Sequence, residues 1–208
     1  MKLNHIIIAI ALISFITIPF HSQSQSKTGI KFGANFTNLY VDDVDDENMK
    51  VGFSGGIYHR AYITNNFAIQ PEILFSQKGS AVQYNNFLSG SGKYRYNLNY
   101  LELPVLALVK INKFYVSGGP YLGWLLSVNI KDVEDDGDIQ EIESLDRDSF
   151  NTFDYGLSVG AGFDFDQGTF GLRYGYGLQD LGEEGSFAGE AVNNAKNSAL
   201  QFFVGFDF

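Results

Sequence analysis

The sequence predicts an all-β fold, an eight-stranded antiparallel up-and-down transmembrane β-barrel preceded by a cleavable signal peptide. Three observations predict it. Apolar residues alternate with small or polar ones through eight segments, the period-two signature of strands with one greasy face. The connections between segments alternate strictly between short and long, as in a barrel with one trimmed rim and one elaborated rim. The composition is that of strands and turns rich in aromatics, with 23 Gly, 19 Phe and 12 Tyr in 208 residues.

Residues 1–24 read as the signal peptide. Lys2 provides a positive start, residues 6–20 form an apolar run short for a spanning helix, and Ser22 and Ser24 suit cleavage near residue 24. An uncleaved anchor helix is the disfavoured alternative. Residues 25–208 then make one domain. The sequence contains no cysteine, which excludes disulfides, thiolate metal sites, a lipid-modified cysteine and a thiol nucleophile. A net charge of −10 without a basic patch argues against nucleic acid. No segment after residue 24 is long and apolar enough for a membrane helix, which leaves a barrel open as the spanning structure.

The first strand, residues 29–39, sets Ile30, Phe32, Ala34 and Phe36 against Lys31, Gly33, Asn35 and Thr37. The second, 50–62, sets Val51, Phe53, Gly55 and Ile57 against Gly52, Ser54, Gly56, Tyr58 and Arg60. It ends at a short turn in which Asn65 and Asn66 tolerate left-handed backbone. The third, 67–78, sets Phe67, Ile69, Pro71, Ile73 and Phe75 against Ala68, Gln70, Glu72, Leu74, Ser76 and Lys78. A Gly/Ser/Asn-rich loop is expected over 79–95. The fourth strand, 96–111, is apolar on one face from Leu101 to Ile111 and mixed on the other. Asn112-Lys113 turns the chain into the fifth, 114–129, whose outward set is read as Phe114, Val116, Leu122, Trp124, Leu126 and Val128. A long acidic loop follows over 130–151. The sixth strand, 152–165, is the most regular, with Phe153 to Phe165 opposing Asp154, Gly156, Ser158, Gly160, Gly162 and Asp164. The seventh, 169–178, sets Phe170, Leu172, Tyr174, Tyr176 and Leu178 against Gly171, Arg173, Gly175 and Gly177. After a loop over 179–197, the eighth runs from 198 to Phe208 with Leu200, Phe202, Val204, Phe206 and Phe208 on one face. Pro71, Pro104 and Pro120 sit inside strands, where they cannot donate to a ladder, so bulges at some of these positions, or strand boundaries displaced from those read here, are expected.

The greasy face points to lipid on three grounds. The minor face is rich in glycine, which makes room inside a narrow barrel. Glu72, Lys78, Glu102, Lys110, Asp154 and Arg173 fall on that same face, where they can pair instead of meeting lipid. Aromatics bracket the apolar band, with Phe67, Phe114, Phe165, Phe170 and Phe208 near the short turns and Trp124, Tyr155 and Tyr176 toward the long connections. The inverse arrangement, a soluble lipocalin-like barrel around a ligand, is the alternative. A lumen this narrow is expected to be filled by side chains, with Glu72, Glu102 and Arg173 in a buried ion network.

Four segments, IQPEILFSQKG (69–79), YLELPVLALVK (100–110), GGPYLGWLL (118–126) and FDYGLSVGAGFDF (153–165), together resemble the PorT-like outer-membrane β-barrel family. The resemblance spans nearly all of the chain after residue 24. It implies an eight-stranded barrel in the outer membrane of a Gram-negative bacterium, surrounded by lipid. It also implies that the barrel-assembly machinery reads the terminal aromatic, Phe208, as an insertion signal. The family takes its name from a member needed for export of surface proteins, so an accessory role in export is an alternative function. The acidic loops match no family motif.

No catalytic or cofactor site is expected. Residues 156–160 match the G-x-S-x-G pattern, but in the middle of a strand and with no histidine after Ser158. Residues 90–93 (GSGK) lack the earlier glycine of a phosphate loop. After residue 24 only His59 remains, which excludes histidine-based metal or catalytic clusters. The long connections are acidic, with five carboxylates in 41–49, nine in 130–151 and four in 179–197. Asp132, Glu134, Asp135, Asp136 and Asp138 are the candidate calcium ligands, against the preferred reading of a solvated, hydrophilic surface. The expected protein is thus a monomeric, non-enzymatic cell-envelope barrel with both termini periplasmic and the long loops extracellular, making contacts with an unknown surface or secretion partner.

Overall fold

The computed structural model describes residues 26–40, 50–86, 90–134, 139–143, 151–180 and 196–208. The expected signal peptide lies outside them. The strands are β1 (Lys27–Tyr40), β2 (Lys50–Tyr62), β3 (Phe67–Asn86), β4 (Gly90–Ile111), β5 (Phe114–Glu134), β6 (Ile139–Glu143), β7 (Phe153–Phe165), β8 (Gly168–Asp180) and β9 (Lys196–Asp207). All but β6 form one closed antiparallel barrel, in which each strand pairs with its neighbours in sequence and β9 returns to pair with β1. Closure leaves no open edge at the level of the barrel wall, which is what a sheet in hydrocarbon requires.

The alternation read from the sequence governs which side chains face out. Phe32, Phe53, Val116, Leu157, Val159, Phe202 and Phe206 are exposed on the outer face. Lys31, Glu72, Lys78, Glu102, Asp154, Asp164 and Arg173 are buried in the lumen. A lipocalin-like arrangement would have these two sets exchanged. An aromatic chain lines the short-connection rim, running Phe114–Phe163–Phe170–Phe165–Phe206 with ring centroids 4.9, 5.5, 6.5 and 6.5 Å apart. At the other rim Trp124 packs on Phe153 at 5.7 Å.

Five details depart from the sequence expectation. First, residues 79–86 and 90–95 are not loop: β3 and β4 stay paired as far as Asn86↔Gly90. β5 likewise continues to Glu134, and β6 folds back on it through Val133↔Ile139. The Gly/Ser/Asn content there makes a weakly hydrophobic ladder, which carries no period-two greasy signal to detect. Second, Val128 is buried in the lumen. The β4–β5 register shifts between Asn99 and Tyr100, and the extra residue on β5 reverses the parity beyond Leu126. Third, Asn65 and Asn66 do not use left-handed backbone; among described non-glycine residues only Asn112 does, with φ 57°. The 63–66 turn is instead held by Thr64 Oγ1, which accepts from the backbone N–H of Asn66 and of Phe67 at 3.3 and 3.0 Å.

Fourth, the prolines are not accommodated by bulges. The β2–β3 ladder skips from Tyr58↔Glu72 to Ala61↔Ile69, and β3–β4 from Pro71↔Val105 to Leu74↔Glu102. The β4–β5 ladder skips from Pro104↔Tyr121 to Ala107↔Gly118. Each gap contains one proline, and the register is unchanged across it. The missing N–H is simply left out of the ladder, on the side facing the preceding strand. Replacing outward-facing Pro71 by valine restores a donor and a β-branched side chain. It is expected to stabilise the barrel by about 1 kcal/mol, read by urea unfolding in lipid vesicles; unchanged or lower stability would contradict this account of the gap.

Fifth, the lumen is not uniformly polar. Leu74, Leu98, Leu106, Leu108, Leu125 and Val128 face inward from β3, β4 and β5. One cluster, Ala68, Leu106, Leu108, Tyr115 and Phe203, fills the short-connection end. The mixed inner face of the fourth predicted strand is the sequence trace of this apolar wall.

Candidate functional site

The inward charges stack in three tiers along the barrel. The middle tier is centred on Glu72 of β3. Arg173 of β8 grips it with two parallel bonds, Nη1 to Oε2 at 2.8 Å and Nη2 to Oε1 at 2.7 Å. Lys31 of β1 and Gln70 of β3 donate to the same Oε1, each at 2.5 Å. The planar guanidinium matches the carboxylate geometry, and a single buried carboxylate thereby answers two cations. Lys31 also stands 4.4 Å from the ring centroid of Phe203, a contact that favours a desolvated ammonium.

Toward the long connections, Lys78 of β3 lies between two carboxylates, 2.5 Å from Glu102 Oε1 and 3.2 Å from Asp154 Oδ2. Asp154 Oδ2 also accepts from Tyr121 at 3.3 Å and from Asn197 Nδ2 at 3.0 Å. Toward the short connections, Asp164 of β7 accepts from Arg60 Nη1 at 2.9 and 3.0 Å and lies 2.7 Å from Lys110 Nζ. Gln70 joins this tier to the middle one: its carbonyl accepts from Arg60 Nε at 2.7 Å while its amide donates to Glu72.

Of the three residues singled out from the sequence, Glu72 and Arg173 are brought together directly. Glu102 is not paired with Arg173; its partner is Lys78. Glu102 and Arg173 do line one small interior cavity of about 30 Å³, with Asn35, Ser158 and Gln201 also on its wall. A space of that size has room for a water molecule and no open channel. Glycine clears the way for the large inward rings: a Cβ on Gly162 would collide with the Tyr115 phenol. Sequence reasoning placed Lys31, Gln70, Arg60 and Asp164 on the inner face but did not assign them to the network. Their parity was visible; their partners lie on strands remote in sequence.

Among the described residues no group of three or more His, Cys, Asp or Glu side chains is gathered for a metal. Of the candidate calcium ligands, Asp132 and Glu134 lie on β5 with side chains outside those described, and Asp135, Asp136 and Asp138 lie outside the described residues. Ser158 of the G-x-S-x-G match sits in mid-strand on β7, buried and facing the lumen. Residues 90–93 start β4, so they form no phosphate-binding turn before a helix. His59 is exposed, with its Nδ1 2.8 Å from Thr28 Oγ1.

Phe208 projects past the end of β9 and is 83% exposed. Its N–H donates to Thr28 O at 2.9 Å, so the terminal residue is held by its backbone while its ring is free. Replacing Phe208 with glutamate is expected to reduce insertion into the membrane without altering the lumen. Normal amounts of heat-modifiable barrel in the membrane fraction would retire the signal role.

Comparison with known proteins adds the following. Residues 21–183 match the family described as outer membrane protein beta-barrel domain. Among solved structures, Ail, the attachment invasion locus protein of Yersinia pestis, in complex with the heparin analogue sucrose octasulfate, shares 15% identity over 88% of this chain and 99% of that one, with a TM-score of 0.49. Neisserial surface protein A shares 13% identity over 88% and 99%, with a TM-score of 0.48. The N-terminal β-barrel domain of Pseudomonas aeruginosa OprF shares 14% over 88% and 100%, with a TM-score of 0.33. No curated protein matches the sequence.

Proposed function

We propose, from the premise that the chain belongs to the outer membrane protein beta-barrel domain family, that it is a non-enzymatic barrel of a Gram-negative outer membrane that works through contacts at the cell surface. The barrel itself lies in the bacterial outer membrane. In this reading both termini and the short turns are periplasmic and the long connections extracellular. Outer-membrane lipid covers the outer face, the barrel-assembly machinery inserts the chain, and a monomer is the working unit. The narrower PorT-like assignment rests on the four sequence segments quoted above.

The observation that carries this reading is an asymmetry. The lumen is packed with paired charges and leucines, which leaves no route for transport. Meanwhile β3, β4 and β5 are 20, 22 and 21 residues long, against 13 for β2, β7 and β8. The paired sheet from Gln77 to Asn86 continues roughly 30 Å beyond the last β2–β3 pair, at the usual rise per residue. Structure is therefore invested on the rim of the long connections, where a partner can reach it. The connections 41–49, 130–151 and 179–197 are acidic, so a partner with a basic surface is favoured over polyanions.

Shaving intact cells with trypsin and identifying the released peptides tests the orientation. Release of residues 132–147 from the 130–151 connection, with 153–178 protected, is expected. Release only after outer-membrane permeabilisation would place this connection in the periplasm and overturn the reading. Replacing the nine carboxylates of 130–151 with their amides should abolish cell adhesion to a lysozyme-coated surface while the barrel stays heat-modifiable. The second function, an accessory in protein export, is supported by the PorT-like segments alone. Co-purification of export components in mild detergent would favour it.

A further inference from the structure

Tyr58 belongs to β2 but makes its most specific contacts two strands away. Its ring lies over Gly29 of β1, where a Cβ would stand 2.7 Å from the ring's Cζ and Oη. The ring reaches on to Gly205 of β9, where a Cβ would stand 2.9 Å from its Cε1. Two strands thus carry glycine where one buried phenol crosses them. The hydroxyl donates to Asp207 Oδ1, and Asp207 Oδ2 accepts from Lys27 Nζ at 2.6 Å. Asp207 and Gly29 are register partners at the end of the β1–β9 ladder. The Asp207 N–H donates to Gln167 O at 3.0 Å, which also ties this point to the β7–β8 turn.

The β1–β9 ladder is the one that joins the two ends of the chain, so it carries the largest loop-closure cost. β1 and β2 are joined by a connection of fewer than ten residues and pair in continuous register from Lys27↔Arg60 to Thr37↔Lys50. In the closed barrel that hairpin holds Tyr58 over Gly29, with its hydroxyl and Lys27 Nζ both on Asp207 of β9. We propose that Tyr58, Lys27 and Asp207 form a closing latch, a preorganised receptor on the β1–β2 hairpin that captures the carboxylate of the last strand and sets the β9 register as the barrel closes. Asp207 then accompanies Phe208 as a working residue of the last strand: the aromatic is free for recognition, and the carboxylate is spent on closure. This rests on the reading that the chain is assembled as a membrane barrel.

The absence of native cysteine allows closure to be timed directly. Cysteines placed at the register pair Ala34 and Phe202 report the β1–β9 seam. Cysteines at Ala161 and Leu172 report β7–β8, away from it. Full-length protein is diluted from urea into phosphatidylcholine vesicles with a mild oxidant, and cross-linked product is followed in time. Tyr58→Phe and Asp207→Asn are each expected to slow the seam cross-link about fivefold, the rate equivalent of one hydrogen bond, and to leave β7–β8 unchanged. The double variant should be no slower than either single one. Equal slowing of both pairs, or no slowing of either, overturns the latch. If neither pair cross-links in these variants, Lys27→Gln, which removes only the part-exposed arm, decides by the same comparison. Failure of the β7–β8 pair in the otherwise unaltered chain would instead count against the membrane-barrel reading itself.

Discussion

Replacing Glu72 with glutamine is expected to destabilise the folded barrel by roughly 3–5 kcal/mol, the range for removing one partner of a buried ion pair. Glu72 is 3% exposed and answers both Arg173 and Lys31. Its loss leaves two buried cations without a carboxylate, and the oxygen that becomes an amide NH2 can no longer accept from Arg173. Arg173→Met is expected to lower stability by less, because Lys31 still neutralises Glu72 and the methionine fills the vacated space. The ordering is the informative part. Urea unfolding in lipid vesicles, followed by the heat-dependent gel shift, measures it. Equal stability in both variants and the unaltered chain would mean that water, not the ion network, satisfies the lumen.

The second large effect is on the opposite face. Val159 is 60% exposed at the middle of β7, between Leu157 and Ala161 on the outward side. Val159→Arg is expected to cost roughly 2–4 kcal/mol in vesicles, because a guanidinium at mid-depth must drag water or headgroups into hydrocarbon. The same change at Phe206, beside the rim, should cost about 0–1 kcal/mol, since the side chain can snorkel. In a soluble protein replacing an exposed apolar side chain with arginine stays within about ±0.5 kcal/mol at either site. The depth dependence therefore separates a lipid-facing surface from a merely solvent-exposed one. A flat response would contradict the lipid-facing assignment.

Much of the fold was legible because a strand's face is a local property. Residue 154 points in and residue 155 out wherever β7 happens to lie. Asp154 with its glycines and Phe153 with its apolar series could be sorted without knowing a single neighbour. The same logic failed where local periodicity is interrupted or absent. The extra residue near Leu126 carried Val128 inward, and the ladder over 79–95 had no greasy stripe to announce it. The prolines were flagged correctly as ladder defects, yet their remedy was not, because a skipped hydrogen bond and a bulge look alike in sequence.

The candidate site divides along the same line. The inner-face positions of Glu72, Glu102 and Arg173 followed from parity. That Arg173 meets Glu72 while Glu102 meets Lys78 did not, and neither did the reach of Tyr58 across β1 to Asp207. By itself the sequence determined the strand number in the barrel, the greasy outer face and the charged inner one, since each follows from residues two apart or from turn chemistry. Only the tertiary structure decided which charges pair, where the lumen turns apolar and how the seam is held. Those depend on the register between strands up to 180 residues apart, which only the closed barrel specifies.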